Sequence, residues 1–512
     1  MNATQTPAAE LKDVEVAVIG SGFAGLCMAI KLKEAGIEDF VVLEKDPMFG
    51  GTWRVNDYPG AACDVPSHLY SFSFAQNARW SRKFPSQSEL WAYTQGVVDR
   101  FELRPHIHVD TALESADFDE NTGRWRVVTN RGAFSAKCVV AATGALSRPS
   151  IPKVPGLEKF EGKMFHSAEW DHAYPLAGKR VAVMGTGASA IQFVPEIAPQ
   201  VAELHLYQRT APWVLPRPDR AISRAEHWLL DNVAPLQWLY RGLTYLRYES
   251  RLFAFKRLPA LNRRIQRTAE RNIARHVKDP ELRAKLTPDY TPGCKRLLLM
   301  NTYYPTLARP NVQVCTNGVK EVRAHSVVDN DGVERPVDAI IFGTGFDVEH
   351  ALGKVEIRGR GGKSLRALAD GGLEAYKGCS VAGFPNFFMV TGPNTGLGHN
   401  SIIYMIESGV NYIVRAIGFV RRGALHSVDV KPEAQRAFND NLQSRFAGTV
   451  WASGCKSWYL SSKGRNSTLW PGFTFEYRWI TRRFDHANYR IAGTAPRTSP
   501  QTRNAPLTVA AA

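Results

Sequence analysis

The sequence predicts an α/β chain made of two Rossmann-like dinucleotide-binding domains, with a helical insertion in the second. Three observations carry that prediction. A strand, glycine turn, helix and second strand stand near the N-terminus, and the same pattern returns from Lys179. The chain has 512 residues, too long for one hydrophobic core. Its 44% hydrophobic and 22% charged residues are ordinary for a globular protein and argue against disorder.

In the first unit, Glu15–Ile19 reads as a strand, Gly20-Ser-Gly22-Phe-Ala-Gly25 as the turn, and the following residues to Lys33 as a helix. A second strand, Phe40–Leu43, ends at Glu44. Glycines at those positions allow a tight turn, close approach to a pyrophosphate and helix–strand packing. Glu44 lies 24 residues after Gly20, where a carboxylate accepts both hydroxyls of an adenosine ribose.

In the second unit, a strand over residues 179–184 leads into Gly185-Thr-Gly187-Ala-Ser189-Ala190, and Glu203–Tyr207 is the next strand. The position equivalent to Glu44 holds Arg209, followed by Thr210. A guanidinium forks onto a 2′-phosphate that a carboxylate would repel. The first site is therefore expected to take a cofactor with a free ribose, and the second NADPH. Ser189 and the amides around it are expected to face the NADP pyrophosphate.

Two further apolar runs end in glycine, at Val139–Gly144 and Ala339–Gly345, where the backbone can return close to a cofactor. Pro149, Pro152 and Pro155 mark an exit into the second domain. The expected organisation is a split first domain (14–148 and 335–490) around a second (149–334), with the helical insertion at 217–286. Disordered tails are expected at 1–13 and 491–512.

Charge is the unusual feature: 64 Lys and Arg against 48 acids give a net +16. Residues 217–286 hold 16 of the cations and 7 of the acids, so +9 resides there, among Trp228, Trp238, Tyr240, Tyr245, Tyr248, Phe253 and Phe255. Amphipathic helices with solvated basic faces are the plainer reading. Peripheral adhesion to an anionic membrane is the alternative. Nucleic acid is disfavoured, because no recognition motif accompanies the basicity. No signal peptide is expected from residues 1–13. The apolar stretches near 401–420 are interrupted by Glu407 and Arg415, short of the roughly 18 uncharged residues of a spanning helix. A cytoplasmic location follows as the expectation.

The 7 cysteines are scattered, with no C-x-x-C, which excludes a zinc ribbon and leaves reduced thiols as the expectation. Two nucleotide sites in one chain suggest NADPH passing electrons to FAD in the first site. Flavin disulfide reductases share that plan but need a close cysteine pair. The remaining electron sink is dioxygen or a soluble acceptor, hence a monooxygenase or an oxidase, with no metal.

Two stretches resemble the type I Baeyer–Villiger monooxygenases, which are flavoproteins. One is Phe160-x-Gly162-x3-His166-x3-Trp170-Asp171; the other is Gly51-x-Trp53-x4-Tyr58-Pro59-Gly60-x3-Asp64. Relatives restricted to nitrogen or sulfur usually end the first motif otherwise. The resemblance spans about 14–490 and includes Gly392–Ser401, expected near the flavin ring. It implies oxygen insertion beside a ketone carbonyl through a C4a-peroxyflavin, giving an ester or lactone. Sulfoxidation is implied as well. It further implies that Arg296 is the active-site arginine and Asp64 its orienting acid. Lys295 would join Arg209 and Thr210 at the 2′-phosphate. Gly51, Thr52, Trp53 and Tyr70 would border the flavin, and Trp458, in Lys456-Ser-Trp-Tyr, would sit on a closing loop. His166 is read as a coupler of the two domains and not as a general base. The expected partners are O2 and a hydrophobic ketone, with a linear aliphatic one suggested by the C-terminal stretch. The competing readings are an N- or S-oxygenating flavin monooxygenase, an NADPH oxidase, and a non-catalytic nucleotide-binding protein docked on a membrane.

Overall fold

The computed structural model describes residues 11–493 apart from 257, 349–352, 354, 455–456 and 462. The chain opens with β1 (Lys12–Ile19), α1 (Phe23–Glu34), β2 (Phe40–Leu43), α2 (Thr52–Val55) and α3 (Gln87–Arg100). Strands β3 (Ile107–His108), β4 (Leu113–Asp119), β5 (Arg124–Thr129) and β6 (Gly132–Ala141) follow. β1 lies between β2 and β6, parallel to both. Burial on both faces explains why Val16–Ile19 and Phe40–Leu43 are unbroken apolar runs rather than alternating ones.

The chain then builds a second sheet. It runs through β7 (Lys163–His166), β8 (Arg180–Met184), α4 (Ala190–Ile197), β9 (Glu203–Tyr207) and the short β10 (Val214–Leu215). Five helices follow: α5 (Arg224–Asn232), α6 (Ala234–Glu249), α7 (Leu252–Lys256), α8 (Pro259–His276) and α9 (Pro280–Leu286). Next come β11 (Leu298–Leu299), α10 (Tyr303–Leu307), β12 (Val312–Cys315), β13 (Val319–Arg323), β14 (Ser326–Asp329), β15 (Glu334–Pro336) and β16 (Ala339–Phe342). The parallel order is β12-β9-β8-β16-β7.

The last stretch holds β17 (Glu356–Arg358), α11 (Leu365–Ala369), β18 (Phe387–Met389), α12 (Ile402–Arg422), β19 (Ser427–Val430), α13 (Pro432–Ser444), α14 (Thr474–Thr481) and β20 (Tyr489–Ala492). β17 and β18 return to the first sheet, beside β4 and β6. The first sheet is thus assembled from both ends of the chain.

Three expectations need adjusting. β16 pairs with β8 and β7 and lies inside the second sheet, while β15 just before it belongs to a separate antiparallel sheet with β13 and β14. We therefore place the return to the first domain after Phe342 and not at 335. A doubly buried strand carries the same apolar run in either sheet, so its sequence does not say which one it joins. The tails are shorter than expected, because Lys12 and Asp13 pair with β6, and Ile491 and Ala492 pair with β19. Residues 1–10 and 494–512 lie outside the described residues. Cys294 is disulfide-bonded, whereas Cys27, Cys63, Cys138, Cys315 and Cys379 are free and buried. A bridge depends on spatial and not sequence proximity, so scattered spacing gave no sign of it. α12 is long and apolar enough to cross a membrane. It packs instead against α1 and α14, with Glu407 buried and accepting from Ser73 N and Oγ.

The two domains meet through the segment that follows α2. Tyr58 Oη donates to Gln192 Oε1 of α4 at 2.9 Å, and Gln192 Nε2 donates back to the Ala62 carbonyl at 2.9 Å. Gly60 (φ +79°) lies so close to α4 that a Cβ would sit 2.8 Å from Glu196 Cγ and 2.9 Å from the Gln192 carbonyl oxygen. Gly60→Ala is therefore expected to cost roughly 2–4 kcal/mol, from left-handed strain plus overpacking. The check is a lowered thermal midpoint by calorimetry; an unchanged midpoint would show that the seam gives way freely.

Candidate functional site

One cleft of about 1730 Å³ runs along the seam, between the carboxyl ends of both sheets. Every residue expected to bind cofactor or act in catalysis lines it, except Gly25. Gly25 faces inward: a Cβ there would lie 1.9 Å from the Gly20 carbonyl oxygen, so only glycine lets α1 start against the turn. Gly20 itself has φ +100° and abuts the Ala142 carbonyl at the end of β6.

At the first turn, Glu44 is buried. It accepts from Ser21 N at 3.0 Å and Ser21 Oγ at 2.5 Å, and from Asp46 N at 3.0 Å. Those three donors hold the carboxylate against the turn, at the place a ribose would occupy. Gly22 faces Gly51 (φ +56°) at the start of α2, with Thr52 next to it. Trp53 Nε1 donates to Tyr70 Oη at 3.1 Å, and the two rings meet edge-on with centroids 5.6 Å apart. Glycine backbone on one side and an aromatic pair on the other fit a dinucleotide with a flat ring system.

The second turn repeats the geometry. Gly185 (φ +103°) approaches the Gly343 carbonyl just after β16, and Ser189 sits at the N-terminus of α4 with its side chain free of any capping bond. Thr186 Oγ1 donates to the Thr210 carbonyl at 3.2 Å, which ties the turn to the segment bearing Arg209. Lys295 Nζ lies 4.8 Å over the Tyr290 ring. Burial, and then the Arg209 guanidinium, hold Lys295 below the usual lysine range. Neither cation forms an ion pair among the described residues. Two cations side by side suit a phosphate dianion.

Arg296 reaches the cleft from the segment before β11 and meets Asp64 from the other domain. Nε donates to Oδ2 at 2.9 Å and Nη2 to Oδ1 at 2.8 Å, a bidentate fork. Nη1 makes only a long contact, 3.4 Å, to the Leu397 carbonyl. The neighbouring Asp64 carboxylate raises the guanidinium further above its already high range. The cation is permanent, with one edge turned to the cavity. Around it the lining is mostly apolar, including Val65, Leu397, Ile402 and Ile406. Trp458 is half exposed at the mouth, its ring centroid 4.5 Å from that of Tyr459.

His166 does not line the cleft. It is buried at the end of β7, with Nδ1 accepting from Ala168 N at 3.1 Å and its ring edge-on to Phe346. Burial lowers its pKa below the ordinary histidine range. Nearby, Trp170 packs on Phe165 and Phe193, and Asp171 pairs with Lys163 at 2.5 Å.

Sequence reasoning missed two residues at the seam. Gln192 bonds to both Tyr58 and Ala62, although its place in α4 marks it only as helical. Tyr459 is buried, its hydroxyl has no hydrogen-bond partner among the described residues, and burial pushes it up to about 12 despite the opposing Arg296 charge. Its position beside Trp458 was the available signal.

The family model that matches residues 17–227 is described as pyridine nucleotide-disulphide oxidoreductase. A Baeyer–Villiger monooxygenase of Pseudomonas aeruginosa is 49% identical over 497 residues, covering 96% of this chain and 94% of the relative. One from Streptomyces coelicolor is 51% identical over 487 residues, covering 94% and 93%. Cyclohexanone monooxygenase from Rhodococcus sp. Phi1, solved with NADP+, superposes with a TM-score of 0.85. It is 30% identical, and the match covers 95% of this chain and all of that one.

The cation pair generates a testable preference. Arg209→Ala is expected to weaken binding of the 2′-phosphorylated dinucleotide about 10- to 100-fold, the worth of one charge-assisted bond. NADH binding should be unaffected, and fluorescence titration of both nucleotides checks this. The bound phosphate favours the charged ammonium that burial disfavours. Binding therefore weakens as pH rises through the lowered Lys295 pKa. Lys295→Met should flatten that dependence.

Proposed function

The chain belongs to the Baeyer–Villiger monooxygenases, and on that premise we propose that it inserts one oxygen atom beside the carbonyl of a hydrophobic ketone, yielding an ester or lactone. It is a flavin-dependent monooxygenase whose cofactors are FAD and NADPH. The turn at Gly20–Gly25 with Glu44 fits FAD, and the turn at Gly185–Ser189 with Arg209 and Lys295 fits NADPH. When bound and reduced, the flavin supplies the oxygen-activating chemistry.

The observation that carries the reading is the Asp64–Arg296 fork, set across the seam between the two turns. Attack on a ketone carbonyl places negative charge on oxygen. A cation already fixed in a largely apolar cavity stabilises that charge without reorganising. Asp64 holds the guanidinium plane and leaves Nη1 for the reacting oxygen. Because Arg296 never deprotonates, its task is charge stabilisation and not proton transfer. Tyr459 stays neutral and places a hydroxyl near Arg296. Trp458 at the mouth is positioned to limit water entry. The apolar lining favours a hydrophobic ketone, with linear aliphatic ketones the narrower proposal, and a thioether would fit the same space.

Arg296→Ala is expected to leave reduction of the flavin by NADPH nearly unchanged while ester formation falls about 10²- to 10³-fold. Stopped-flow absorbance reads the first quantity, and mass spectrometry of products from a ketone and sulfide panel reads the second. Retained ester synthesis would remove Arg296 from the mechanism. Sulfoxides without any ester from the unaltered enzyme would overturn the ketone assignment in favour of heteroatom oxygenation.

A further inference from the structure

Helix α6 of the insertion is inside out. On α6 the polar residues Arg241, Tyr245 and Glu249, spaced four apart, face the protein. Arg241 is buried and donates to the His68 carbonyl at 2.5 Å and to Ser71 Oγ at 3.2 Å. Tyr245 Oη shares a hydrogen bond with Thr474 Oγ1. Glu249 accepts from Asn400 Nδ2 and from the backbone and hydroxyl of Thr474. The solvent side instead carries Leu239, Leu243 and Leu246, at i, i+4 and i+7, with Trp238 beside them; they are 56, 58, 62 and 58% exposed respectively. A helix whose apolar stripe points outward has not found its burial partner.

The apolar surface continues beyond α6. Exposed Phe253 on α7 meets Phe473 edge-on, and Phe473 stacks on exposed Phe475 of α14. One turn further, Trp479 is 66% exposed, with the Arg482 guanidinium over its ring. Trp228, Leu229 and Val233 extend the surface at the α5 end.

Cations border it. Arg247, Arg263, Arg264 and Arg267 are exposed, and among the described residues none forms an ion pair. Three of the four acids on α5–α8 are engaged by ion pairs or in the interior, Glu226 with Arg220, Asp231 with Arg79 and Glu249 inside, and the fourth, Glu270, accepts from Gln266. Burial, and then Arg247 and Arg220, hold Lys83 at the same border below the usual lysine range, a mark of crowded positive charge.

We propose that α5–α8, with the exposed face of α14, form a peripheral docking surface for an anionic phospholipid bilayer. Tryptophan and leucine insert at the headgroup–acyl boundary while arginines meet lipid phosphates, so one surface satisfies both groups. A second copy of the chain fits less well, because its own arginines would be pressed against these. The proposal concerns the outer face of α6 and is independent of which ketone the cleft accepts.

Flotation of the FAD-loaded enzyme with vesicles tests it. The enzyme is expected to float with phosphatidylcholine–phosphatidylglycerol vesicles, to stay behind with phosphatidylcholine alone, and to be released by salt. Leu243→Ser with Leu246→Ser should lower the partition coefficient at least tenfold. Arg263→Glu with Arg267→Glu should lower it by a factor on the order of ten or more. Both variants should keep the thermal midpoint and NADPH oxidation of the parent, and the arginine variant keeps the test decisive if the leucine one misfolds. Absence of flotation, equal flotation with neutral vesicles, or binding unaltered in both variants overturns the proposal. Sedimentation showing self-association that the leucine variant abolishes would overturn it too, and assign the face to a second copy.

Discussion

The Asp64–Arg296 fork is the interaction on which the arrangement of the cleft depends. Its carboxylate comes from the first domain and its guanidinium from the second, so the pair forms only when the domains are seated correctly. Removing one member of this part-buried pair leaves the other charge without its partner. The pair therefore acts as a check on alignment as well as a charge. Alignment is imposed from behind by the Gly60 contact with α4 and by Gln192, whose amide bonds to Tyr58 and Ala62 at once. Because α4 also begins at the second glycine turn, the same helix positions that turn and the segment bearing Asp64.

The two nucleotide sites show how little sequence is needed to separate related ligands. Both place a positive-φ glycine against a carbonyl that follows a parallel strand, Ala142 after β6 and Gly343 after β16. They diverge at one position. Glu44 is held by three donors at the first turn, as the proposed ribose site requires; Arg209 lies beside Lys295 at the second, as the proposed phosphate site requires. On the proposed reading, one scaffold used twice takes two ligands through a single reversal of charge.

Much of this was readable in the sequence because it is local. Glycine turns, the Glu44 and Arg209 registers, and the basic aromatic segment 217–286 all declare themselves within a few tens of residues. What was not readable depends on distant segments meeting. The sheet joined by Ala339–Phe342 is decided by β7 and β8, and its apolar run would serve equally well beside β6. Gln192 and Tyr459 acquire their roles from residues of the other domain or from Arg296. The orientation of α6 was also hidden. Its leucines and its buried Arg241 and Glu249 both recur at helical spacing, and only the contacts with His68, Asn400 and Thr474 show which set faces inward.

The return of β18 to the first sheet has a consequence for biosynthesis. The C-terminal half of β6, Val139–Ala141, is bordered on one side by β1 and on the other by Phe387–Met389. As the chain leaves the ribosome, that second edge is bare until the whole NADPH domain has been translated. At roughly 5–20 residues per second the delay is on the order of tens of seconds. An unpaired parallel edge of valine and alanine is a template for wrong partners. Completion of the first sheet therefore waits on a strand about 250 residues downstream, so its core closes only after the second domain has been made.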